Sequence, residues 1–174
     1  WITKLEPTFT QVWLVQAWNM AYNISVKFTD PADRWRWVQR GIELLRDDAI
    51  RYNPKDAMIY RELAWFFQHK MGQDLDDAHR YYKTAWAREM TQAFGGPRPD
   101  YAELLHPTTD DARRRVELLR TRYKMDPQFM NEVDAQYGPL EWRLPEAHAI
   151  YWASVGLKQA SRTNLVFLRR AIYQ

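Results

Sequence analysis

Residues 76–87 read DDAHRYYKTAWA, and their spacing governs how the chain around them folds. Ala78 and Ala85 are seven positions apart, which puts both on one face of a helix with Tyr82 between them. Small side chains at that interval let a neighbouring helix approach closely, and the aromatic ring fills the groove. Asp76 and Asp77 come just before, where a helix over 75–93 would place negative charge beside its exposed N–H groups. The stretch predicts a helix made to pack on the helix that precedes it.

The same helical spacing extends in both directions. Asp30-Pro31 supplies a cap and a first-turn proline for a helix over 31–52, which Pro54 ends by disfavouring helical geometry at Asn53. Further helices are expected over 56–71, ended by Gly72, over 109–124, ended before Pro127, and over 145–159 and 162–173, with a short one in DPQFMNEVDAQYG. The run Phe9–Phe28 is apolar enough to suggest a membrane span. Gln11, Gln16, Asn19, Asn23 and Lys27 interrupt it, however, and the last four follow one helical face, so no span is expected here. No segment alternates as a strand. The expected fold is all-α with about seven or eight helices, and Gly95–Thr109 is its longest loop.

Two internal matches point to repetition. Ile42-Glu43-Leu44-Leu45-Arg46 before Asn53-Pro54 recurs as Val116-Glu117-Leu118-Leu119-Arg120 before Asp126-Pro127. Pro54 with Ile59-Tyr60 recurs at the same offset as Pro145 with Ile150-Tyr151. Within residues 42–88, Tyr60-x2-Leu63-Ala64-x2-Phe67, Ala78-x3-Tyr82-x2-Ala85 and the preceding Pro54 resemble a divergent tetratricopeptide repeat, a helix-turn-helix unit of about 34 residues. The turn around Gly72 is longer than that pattern, and no proline closes the unit near Met90. The resemblance implies antiparallel helix pairs stacked as an α-solenoid, with residues 1–174 forming one domain. The chain begins at Trp1 and ends at Gln174, which leads us to expect a piece of a longer protein.

Family members commonly bind extended peptides on the concave side. The resemblance therefore implies a protein or peptide partner held by Met58, Arg61, Trp65, Gln68 and His69. Asn19 and Asn23, one turn apart, are candidates to hydrogen-bond a peptide backbone.

Composition narrows the alternatives. Basic residues number 25 and acidic ones 22, a net charge of +3, which argues against the strong single-sign field that nucleic acid requires. The chain has no cysteine, so thiolate metal sites and a cysteine nucleophile are absent. His69, His79, His106 and His148 lack metal-ligand spacing, and Glu146 and His148 point in different directions on a helix. With neither a phosphate-binding glycine loop nor a Gly-x-Ser-x-Gly motif, no catalytic residue, metal or cofactor is expected. The nine tryptophans keep open a carbohydrate-stacking role, and a purely architectural or oligomerisation role is the third reading. Trp35 and Trp37 point about 200° apart on a helix, so at least one of them is expected in the core.

Overall fold

A computed structural model describes residues 5–160, which are all-helical. The helix expected over 162–173 lies outside them. Helix α1 runs from Thr10–Trp18 through a π-helical turn, Asn19–Ile24, and a 3-10 turn, Ser25–Lys27. Helix α2 comprises Pro31–Glu43, a π segment Leu44–Ala49 and a last turn Ile50–Tyr52. Helix α3 comprises Ala57–Trp65 and a π segment Phe66–Met71. Then follow α4 (His79–Phe94), α5 (Tyr101–Leu105), α6 (Asp110–Thr121), α7 (Pro127–Tyr137) and α8 (Pro145–Gln159).

Local chemistry sets these boundaries. The carboxylates of Asp30, Asp56 and Asp100 and the hydroxyl of Thr109 accept from backbone N–H groups in the first turns of α2, α3, α5 and α6. Helix α4 stops at Gly95, whose φ of +73° a side chain would disfavour, and Gly96 N–H closes on Thr91 C=O. Arg115 of α6 covers that glycine, donating to Phe94 C=O at 2.7 Å.

Helix α2 turns back on α1, α3 packs on both, and α4 lies against α2 and the end of α3. Helix α6 packs on α4, and α8 returns to α3, its most extensive neighbour. The two helices that share the Pro-x4-Ile-Tyr pattern are therefore side by side. Tyr60, Leu63, Ala78 and Tyr82 all enter one core, in which Trp35 stacks on Tyr82. Trp37 is half-buried and stacks on Phe28.

Two boundaries differ from the sequence expectation. Helix α4 begins at His79, because Asp76 turns inward and accepts from Ala78 N–H instead of joining the first helical turn. The Gly95–Thr109 loop contains α5, which Asp100 caps.

Gly41 marks the crossing of α1 and α2. A Cβ there would lie 3.0 Å from Ala17 C=O, 3.1 Å from Phe66 and 3.2 Å from Ala21 Cβ. Gly41→Leu should therefore destabilise the fold by about 1 to 3 kcal/mol, read as a lower urea midpoint with an unchanged m-value. An unchanged midpoint would mean that the crossing can open without cost.

Candidate functional site

The ends of α1 and α3, the start of α2 and the 72–78 turn surround a cleft of about 300 Å³. Its floor is an ion cluster drawn from three elements. The Asp76 carboxylate accepts from Lys70 Nζ on one oxygen, and from Arg34 Nη1 at 3.1 Å and Ala78 N–H at 2.9 Å on the other. Arg34 is fixed in turn by donating from Nε to Phe28 C=O at 2.7 Å. Lys70 lies 5.0 Å from the Tyr22 ring centroid and 5.9 Å from that of Tyr82, so aromatic faces stand where water would otherwise solvate it. Burial acts to raise the Asp76 carboxyl. The hydrogen bonds from Lys70 and Ala78 N–H and the charges of Lys70 and Arg34 outweigh that effect and hold it below the usual carboxylate range.

The walls come from the π turns of α1 and α3. A π turn inserts an extra residue into the helical repeat, so the side chains after it no longer follow the 3.6-residue stripe. Tyr22, inside the first π turn, stacks on Trp18 with centroids 4.7 Å apart, and its hydroxyl is hydrogen-bonded to His69 Nδ1 at 3.1 Å. His69, inside the other, stacks on Trp65 at 4.5 Å and 13°. The four rings form one continuous aromatic surface across the two helices.

Burial, reinforced by the charge of Glu62, raises the Tyr22 phenol well above its usual value, and a hydrogen bond from Trp65 partly opposes the rise. Burial, with Lys70 next to it, pushes the His69 imidazole down. The Tyr22–His69 pair is therefore neutral at neutral pH.

At the mouth, Val26 is 48% and Leu75 70% exposed, and Trp18, stacked on Tyr22 beside the cleft, is 44% exposed. Val26 and Leu75 place apolar surface in water at the mouth of a cleft whose floor is charged, with Asp77 as a further acidic member of the lining.

The residues expected from sequence are distributed unevenly over this site. His69 lines the cleft and Trp65 joins the aromatic surface. Arg61 and Gln68, on the same helix, are half-buried, and the Arg61 charge partly offsets the rise that burial imposes on the Glu62 carboxyl. Met58 packs half-buried against the core. Asn19 and Asn23 are exposed on α1 beside Trp18 and Tyr22, and bond to each other at 2.6 Å.

Sequence reasoning missed Trp18, Tyr22, Val26, Arg34, Lys70, Leu75 and Asp76. Lys70 and Asp76 flank one turn, but Gln73 and Asp74 between them make the pair inconspicuous in the sequence.

No group of three or more His, Asp or Glu among the described residues is placed to hold a metal ion. No helix among them is long and apolar enough to cross a membrane. No family model, curated protein or solved structure matches the chain.

Proposed function

We propose that the chain is a non-catalytic interaction module of tetratricopeptide-like helix pairs that holds an extended peptide or protein segment across α1 and α3. The observation that carries this reading is that exposed Val26 and Leu75 line one cleft, beside the partly exposed Trp18 that stacks on its Tyr22. Large apolar side chains concentrated in water around a concavity are characteristic of a recognition surface. An apolar side chain of the partner would enter between Val26 and Leu75. The Asn19 and Asn23 amides would exchange their mutual hydrogen bond for one to the partner's backbone, and Trp65 and Arg61 would act as anchors of the type that dominates hot spots. The pairing of α1 with α2 and of α3 with α4, and the placement of α8 beside α3, support the repeat-like arrangement.

The carbohydrate alternative draws less support from this surface. Trp18 and Tyr22 cover one another's faces, as do Trp65 and His69, and Trp13, Trp35, Trp86, Trp142 and Trp152 are buried.

The reading is tested by selecting binders from a displayed random-peptide library and measuring them against the Trp18→Ala, Val26→Ser, Leu75→Ser triple variant. Val26→Ser and Leu75→Ser should each alter stability by only about 0.5 kcal/mol or less, and Trp18→Ala, which gives up its stack on Tyr22, by about 0.5 to 1.5 kcal/mol, while affinity falls at least about tenfold. Selected peptides that bind the triple variant as tightly as the parent would overturn the assignment.

A further inference from the structure

A second cleft, of about 470 Å³, opens between the end of α2, the start of α3, the turn after α6 and the last turns of α8. Arg46, Arg51 and Lys124 line it, with Asp47 as the only carboxylate in its lining. Arg46 is buried and spends Nε and Nη2 on Asp47 at 2.6 and 2.8 Å. That pair is internally neutral. Arg51 and Lys124 form no ion pair among the described residues, so the lining carries two uncompensated positive charges.

Lys124 carries a second, independent signal. Its φ is +54°, the only positive value at a non-glycine position among the described residues. It follows α6, whose end is closed by Met125 N–H on Leu119 C=O at 2.9 Å. That turn takes a left-handed residue, ordinarily glycine, because a Cβ is disfavoured there. A lysine at such a position, with its side chain lining a cleft, combines a strained backbone with a charge presented to that cleft. Ile50, Pro54, Trp152 and Val155 give the lining an apolar side, with Tyr60 and Gln159 as its remaining members.

We propose that this cleft binds a small organic oxyanion, a carboxylate or phosphate group carried on an apolar body. Arg51 and Lys124 hold the anionic group by charge-assisted hydrogen bonds, and the Ile50–Trp152–Val155 wall receives the body. The site is separate from the aromatic surface of α1 and α3 and does not depend on the function proposed for it.

Amide chemical shifts of the whole chain, followed during titration with phenyl phosphate, benzoate, inorganic phosphate and neutral phenol, test the proposal. Phenyl phosphate or benzoate should move the Arg51, Lys124 and Val155 resonances saturably, and should bind at least about tenfold tighter than inorganic phosphate or phenol. Whichever of the two binds more tightly identifies the oxyanion. Arg51→Gln should weaken binding about tenfold. Lys124→Gly should weaken it similarly while keeping or raising the melting temperature, because glycine suits the left-handed turn. Equal affinity in the Lys124→Gly protein, equal binding of inorganic and phenyl phosphate, or shifts scattered over the surface would each overturn the proposal.

Discussion

Asp76→Ala should be among the most damaging single substitutions in the chain, costing about 3 to 5 kcal/mol. The change strips Lys70 of its carboxylate partner, removes the contact that holds the Arg34 guanidinium, and leaves Ala78 N–H without its acceptor. Lys70 is 5% exposed, so solvent cannot replace what is lost. Lys70→Met should be much milder. It leaves Asp76 with Arg34 and Ala78 N–H, and it places a thioether against the rings of Tyr22 and Tyr82, where methionine packs well. Urea denaturation of the two variants is the measurement. Equal midpoints for Asp76→Ala and the parent would show that the cluster is only an ornament of the surface.

Stability should fall with acidification in two separate steps, the first due mainly to His148. This side chain is fully buried between Phe67, Trp86 and Trp142, donates from Nε2 to Trp142 C=O at 2.8 Å, and leaves Nδ1 without a partner. Burial, aided by the charge of Arg46 and only partly opposed by the Trp142 carbonyl, lowers its pKa from 6.5 to about 4. Between those values the unfolded chain binds the proton and the folded chain does not, so stability rises with pH across that window and is lost on descending it. The shift corresponds to about 3 kcal/mol. Asp76 contributes below this range: its depressed carboxyl adds stability above the ordinary carboxylate pKa, lost as pH falls through the lower folded value. His148→Gln keeps an amide donor for Trp142 while removing its titration, so most of the loss between pH 6.5 and 4 should disappear, leaving a smaller slope from His69, whose imidazole is also pushed down. A parent-like slope in that variant would assign the acid sensitivity to other groups.

The helix ends were legible because their causes are local. Asp30-Pro31 starting α2, Pro54 ending the segment before α3, and Pro145 opening α8 act through backbone geometry within a few residues, and each boundary lies where those residues put it. The core face was legible for the same kind of reason: Leu63 and Tyr82 follow a helical period, and both are buried. Asp76 was misjudged where local and distant forces compete. As a sequence feature it resembled a first-turn charge, but Lys70 and Arg34 together attract it more strongly than a helix dipole does, and the helix starts later.

The candidate site was only half visible. Trp65 and His69 are among the residues that the repeat spacing singled out, whereas Tyr22, inside a π turn, is not, because such a turn shifts side-chain directions without leaving a mark in the hydrophobic pattern. By itself, then, the amino-acid order determined an all-helical chain, most of its boundaries and its buried stripes, since these depend on interactions within a turn or two. The tertiary structure alone decided which side chains meet. Tyr22 with His69 and Arg34 with Asp76 come into contact, and Arg51 and Lys124 come to line one cleft, from helices and turns distant in sequence, and an arrangement that costs chain entropy to form is selected by the packing of the whole core.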